Sequence, residues 1–171
     1  MKAVRTSLCL LAVCSAAPAW AAPAALLNKS ITVSYATTIP GKKADGTPVT
    51  GTRNATRTIY VSSAGRIFGR VARRDGSAAE TKEAGPGETG NTFRFVGDKI
   101  VGVMQFQSGA SQMTISFDPS GQSCSAGIVA GRDSGHAIRW KMVDGSVREA
   151  TGPVAFSNIS CSISSGNAFG G

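Results

Sequence analysis

The chain contains a single histidine, His136, in the segment Asp133-Ser134-Gly135-His136. A hydroxyl nucleophile, a general base and an orienting carboxylate stand there side by side. Hydrolase triads are assembled by folding rather than by adjacency, and no Gly-x-Ser-x-Gly turn opens a helix here. His136 therefore reads as a solvated loop residue, and no catalytic residue is assigned. Metal chemistry has no better footing, because a His pair, a Cys-x-x-Cys and an acidic calcium loop are all absent. Glu80, Glu83 and Glu88 cluster, but Lys82 stands among them and glycines surround them. They read as solvated loop charges, and neither a metal nor a cofactor is expected.

Glu149 is the acid with the best prospect of a site. Asp144-Gly145 signals a two-residue hairpin that pairs Met142 with Val147. Extended, that register sets Glu149 opposite Trp140 on the inward face, where a lone carboxylate is costly. A bulge or an early strand end would turn it out. If it faces in, Glu149 with Trp140 and Phe93 lines an internal ligand cavity. Inward-facing Gly69 and Gly102 would leave the space beside Phe93 and Ile59.

The arginines form a second candidate site. Arg53, Arg57, Arg66, Arg70, Arg73 and Arg74 fall within about two strands. Ser63-Ala64-Gly65 fits a three-residue hairpin with glycine in the left-handed position, which pairs Val61 with Ile67 and Ile59 with Gly69. Tyr60 then faces Phe68 on the outer surface, flanked by Arg66 and Arg70. An exposed aromatic pair between guanidiniums suits an anionic, ring-bearing or sugar-like partner. An ordinary solvated sheet face strengthened by cross-strand aromatics is the plainer alternative.

Compartment follows from the N-terminus. Lys2 and Arg5 precede an apolar run, and Ala19-Trp20-Ala21 presents small residues where a signal peptidase cuts. Residues 1–21 read as a signal peptide, which makes the protein exported, periplasmic or secreted. Of 171 residues, 18 are Lys or Arg and 10 are Asp or Glu, a net charge of +8. Removing the leader takes Lys2 and Arg5, leaving 16 basic residues against 10 acidic ones and a still positive chain. It also takes Cys9 and Cys14, so Cys124 and Cys161 remain as the only pair, and an oxidising compartment favours their disulfide. No membrane span is expected after cleavage.

The elements that must carry these residues are strands. Ile31, Val33 and Tyr35 alternate with polar or small neighbours, as do Met113, Ile115 and Phe117, and Ile159, Cys161 and Ile163. Period two marks half-buried strands, and the 21 glycines argue against helices. Gly97-Asp98 fits a type II′ hairpin pairing Phe95 with Ile100 and Phe93 with Gly102. A four-residue loop at residues 108–111 would pair Phe106 with Met113 and Met104 with Ile115. The predicted fold is all-β: an antiparallel meander of about nine or ten strands forming an up-and-down β-barrel, with a two-sheet β-sandwich as the alternative. Residues 22–164 form one domain, residues 165–171 a flexible tail, and residues 40–53 and 75–91 the longer connections.

Three functions follow. The first is an exported, non-catalytic binding module for a small apolar or amphiphilic ligand. The second is an interaction or structural protein whose basic and aromatic outer face meets an anionic envelope polymer. The third is an enzyme with no recognisable motif. Nucleic acid is not an expected partner, since neither a recognition helix nor a stacking platform is present.

Overall fold

The computed structural model describes residues 21–71, 80–84, 91–106, 109–133, 139–141 and 146–170. Within them a 3-10 turn, Ala24–Leu26, is followed by eleven strands. These are β1 (Lys29–Lys43), β2 (Pro48–Val61), β3 (Ile67–Val71), β4 (Glu80–Glu83), β5 (Asn91–Val96), β6 (Lys99–Phe106), β7 (Gly109–Phe117), β8 (Cys124–Asp133), β9 (Arg139–Lys141), β10 (Val147–Ala150) and β11 (Ala155–Ser165). The extra strand is β4, which lies within the predicted connection over residues 75–91.

The strands form two antiparallel sheets, in the orders β4-β3-β2-β1-β10-β9 and β5-β6-β7-β8, with β11 also paired to β1. Two seams tie them together. On one side Ala84 donates its N–H to the Ile67 carbonyl at 2.8 Å and accepts the Phe93 N–H at 2.9 Å. On the other side the Cys124–Cys161 disulfide links β8 to β11. The sheets therefore enclose one core, built from Ile31, Val33, Ile59, Val61 and Ile67 on one side and Phe93, Phe95, Ile100, Met104, Met113 and Ile115 on the other. These are the residues that period-two alternation turns inward.

Turn chemistry sets most of the register. Gly97, at φ 59°, makes the β5–β6 turn, and Phe95–Ile100 and Phe93–Gly102 pair as expected. The β2–β3 hairpin likewise pairs Val61 with Ile67, Tyr60 with Phe68 and Ile59 with Gly69.

Three expectations need correction. Residues 40–53 are not a loop, because β1 and β2 stay paired from Lys29–Val61 out to Lys42–Pro48. Pro40 is tolerated because its carbonyl accepts Thr151 N–H at 2.9 Å, away from β2. In an antiparallel strand the N and O of one residue point to the same side, so the missing donor never belonged to the β1–β2 ladder. The β6–β7 hairpin is tighter than predicted. Phe106 pairs with Gly109 and Met104 with Ser111, while Met113 pairs with Gly102 and Ile115 with Ile100. The slip is even, so the inward faces are preserved. In the β9–β10 hairpin the slip is odd: Arg148 lies opposite Trp140, and Glu149 opposite Arg139.

A bulge shapes β11. Ser34 pairs with Ser160, but Ala36 pairs with Ser157, and Asn158 takes the left-handed φ of 51°. The extra residue reverses the inside–outside parity of β11 beyond that point.

Candidate functional site

Of the residues proposed for an internal cavity, Phe93 lies in the sheet of β5 to β8 and Glu149 in the other sheet, beside Lys42. Phe93 is 3% exposed and belongs to the closed core. A Cβ at Gly102 would overlap Cε1 and Cδ1 of its ring, so the space expected over Gly102 is filled by Phe93 itself. An aromatic ring laid across a facing glycine replaces the packing that glycine cannot supply. Glu149 is half-buried, and its Oε1 lies 3.8 Å from Lys42 Nζ. That ion pair forms where β10 meets β1 at the Lys42–Glu149 register position. Trp140 is placed by its backbone pairing to Arg148. His136, Arg73, Arg74 and the Asp144-Gly145 turn lie outside the described residues.

The β2–β3 hairpin places Tyr60, Phe68 and Arg66 side by side. Tyr60 and Phe68 lie side by side with ring centroids 6.4 Å apart. The Arg66 guanidinium sits 5.7 Å from the Phe68 centroid. It is not a free cation. Glu83, read from the sequence as a solvated loop acid, stands opposite Phe68 in β4 and takes the Arg66 fork with both oxygens, one bond being Nε to Oε1 at 2.7 Å. That pairing raises the Arg66 pKa and holds Glu83 below the usual carboxylate range. The partnership was missed because Glu83 carried no strand signal of its own.

Arg70 is placed differently. It is exposed, opposite Thr81 in β4, and its guanidinium meets the C-terminal segment. Nη2 donates to the Phe169 carbonyl at 3.1 Å, and Cζ lies 5.3 Å from the Phe169 ring centroid. Beside it is a recess of about 200 Å³ lined by Thr56, Arg57, Thr58, Arg70, Ala168 and Phe169. No carboxylate is among those residues. The neighbouring surface of β1 and β2 is a hydroxyl ladder, with Thr32–Thr58 and Ser34–Thr56 oxygens each 3.2 Å apart.

Arg57, grouped by sequence with the other arginines, lies on the opposite side of β2. Alternation with Ile59 and Val61 puts it on the inner face, opposite Val33. It is half-buried, and its Nη1 reaches the Arg70 carbonyl at 3.4 Å. Burial pushes its pKa down, although a guanidinium stays charged at neutral pH. The parity of β2 is enough to place it there.

Chemically, this face offers an exposed guanidinium, hydroxyls and aromatic rings in one plane. Those groups bind anions and sugar rings. They do not supply a paired nucleophile and base. No group of three or more His, Cys, Asp or Glu side chains capable of holding a metal ion occurs among the described residues.

No protein-family model, curated protein or solved structure matches this chain.

Proposed function

We propose that this protein binds an anionic polysaccharide, of the kind found in a cell envelope, through the outer face of β1, β2 and β3. The observation that carries the reading is the recess beside the exposed Arg70, lined by Thr56 and Thr58 among others and by no acid. A polyanion gains from such a patch mainly through charge, and the surplus of basic residues across the chain adds a long-range attraction. The hydroxyl ladder supplies hydrogen-bonding partners for sugar hydroxyls, and Tyr60 and Phe68 supply apolar faces for sugar rings.

The disulfide is compatible with an exported protein, because such bonds persist in oxidising compartments. Among the described residues no helix is long and apolar enough to cross a membrane. Export and an envelope location belong to the same proposal.

Retention on a heparin resin tests it. The protein should bind at low salt and elute as ionic strength rises, since exposed charges are screened within about 10 Å at 0.1 M salt. Arg70→Ala should elute markedly earlier. Arg66→Ala should shift less, because Glu83 already neutralises that cation. Wild type that flows through at low salt, or Arg70→Ala that elutes with wild type, would overturn the reading.

A further inference from the structure

Residues 166–170 do not leave the fold after β11. Gly166 N–H donates to the Asn28 carbonyl at 2.7 Å. Ser30 donates its hydroxyl to the Gly166 carbonyl at 2.8 Å and accepts the Ala168 N–H at 2.9 Å. Alternation with Ile31 puts Ser30 on the outer face of β1, yet it is 0% exposed. A buried serine used as both donor and acceptor fastens the segment across the sheet. Beyond that clasp, Phe169 N–H turns back onto Asn167 Oδ1 at 3.0 Å. This turn delivers Phe169 to Arg70.

A single residue thus engages Arg70 twice. The Phe169 carbonyl takes one guanidinium nitrogen, and the Phe169 ring lies against the same group. A carbonyl is a neutral acceptor with one oxygen. A carboxylate presents two oxygens in a plane that matches the guanidinium fork, and its charge-assisted bonds are roughly twice as strong. Displacing Phe169 is therefore favourable for a planar carboxylate carried on a ring, and less so for a neutral sugar.

We infer that Phe169 is a built-in competitor for the Arg70 subsite, and that the ligand unit which displaces it is a uronate, a sugar ring bearing a carboxylate. The inference rests on the outer-face reading above and narrows it from polyanion to polyuronate. Residues 166–168 remain clasped to Ser30 while Phe169 swings away, so the exchange needs no unfolding of β11.

The competitor lowers apparent affinity by the fraction of time it occupies the site. Phe169→Ala, at a half-buried position in the terminal segment, should leave the fold intact. It should bind an oligogalacturonate about two- to fivefold tighter than wild type in a titration at fixed salt, the scale of one exposed cation–π contact, because alanine keeps the backbone carbonyl and loses only the ring. In an Arg70→Ala background the same substitution should give no gain. Polyphosphate, which lacks both ring and carboxylate, should show a smaller gain than oligogalacturonate.

Unchanged or weaker oligogalacturonate binding by Phe169→Ala would overturn the competitor, even with salt-dependent heparin retention intact. An equal gain on polyphosphate would overturn the uronate assignment. Absence of salt-dependent binding to any polyanion, in wild type and variant alike, would instead overturn the outer-face reading itself.

Discussion

The rings of Tyr35 and Phe156 meet edge to face, with centroids 5.8 Å apart and planes inclined at 62°. Simple alternation along β11 would put Phe156 on the side opposite Ile159 and Cys161. The bulge at Asn158 reverses that parity, so Phe156 and Ile159 both pack against the core although they are three residues apart. Asn158 permits this because a short amide side chain tolerates left-handed backbone better than most residues. Asn158→Gly should leave the urea midpoint nearly unchanged. Asn158→Ala should cost about 1 kcal/mol, at the lower end of the left-handed penalty. Equal midpoints for alanine and wild type would show that the backbone at Asn158 does not set the bulge.

The Phe93–Gly102 pair makes a second, sharper prediction. Gly102→Ala forces a methyl group into the Phe93 ring, and overpacking of this kind costs about 1–3 kcal/mol. Phe93→Ala removes a buried ring and should cost about 3–5 kcal/mol. The double variant should be less destabilised than the two losses added together, because the methyl group introduced by Gly102→Ala then occupies part of the emptied volume. Denaturant unfolding of the four proteins gives the coupling directly. Strict additivity would mean that ring and glycine do not share that space.

Much of this architecture is legible in the sequence. The inward faces of β1, β5, β6 and β7 follow from alternation, and the Gly97 and Gly65 turns fix two registers. In the β1–β2 hairpin, residues 40–53 contain Pro, Gly and Lys in loop-like proportion, which masks the pairing. Yet its turn repeats the chemistry of Ser63-Ala64-Gly65. In Ala44-Asp45-Gly46 the glycine has φ 84°, Gly46 N–H donates to the Lys43 carbonyl, and Lys43 N–H donates to the Thr47 carbonyl. The same pattern closes the β2–β3 turn between Ser62 and Arg66. Composition hid what the turn motif showed. The Glu83–Arg66 pair and the Phe169–Arg70 contact were not legible, because each depends on a segment with no periodicity of its own being laid across a sheet by hydrogen bonds. The aromatic pair Tyr60–Phe68 and the position of Arg70 beside it were legible from one hairpin.

The Cys124–Cys161 bridge spans a seam. No ladder joins β8 to β11 among the described residues, and the disulfide carries the covalent connection between the two sheets there. Its sequence separation is 37 residues. Closing a loop of that length contributes roughly 3–4 kcal/mol in the chain-entropy account. The Cys124→Ser/Cys161→Ser protein, or the reduced wild type, should therefore unfold at clearly lower denaturant than the oxidised protein. Coincident unfolding curves would show that packing of Ile128, Ile159 and their neighbours holds the seam without the bridge.

Acid should loosen two surface clamps and sharpen binding at the same time. Asp118 lies below its ordinary pKa chiefly because it accepts the Gln122 N–H at 2.8 Å, and Glu83 lies below its own because of Arg66. A carboxylate with a lowered folded pKa stabilises the fold fully above its unfolded pKa. That contribution is lost as pH falls through the folded value, so the window lies below about 4. Both groups lie at the surface and are only partly covered, so the loss should be small, and Asp118→Asn with Glu83→Gln should flatten the fall in urea midpoint between pH 5 and pH 3. Glu83 also restrains Arg66, so neutralising it releases a cation beside Phe68. Glu83→Gln should therefore elute from heparin at higher salt than wild type at pH 7. The difference should narrow as wild-type Glu83 protonates. Heparin carboxylates protonate in the same range, so wild type and Glu83→Gln are compared at each pH, where the resin is common to both. Identical elution of Glu83→Gln and wild type at pH 7 would place Arg66 outside the binding face and leave Arg70 to carry it.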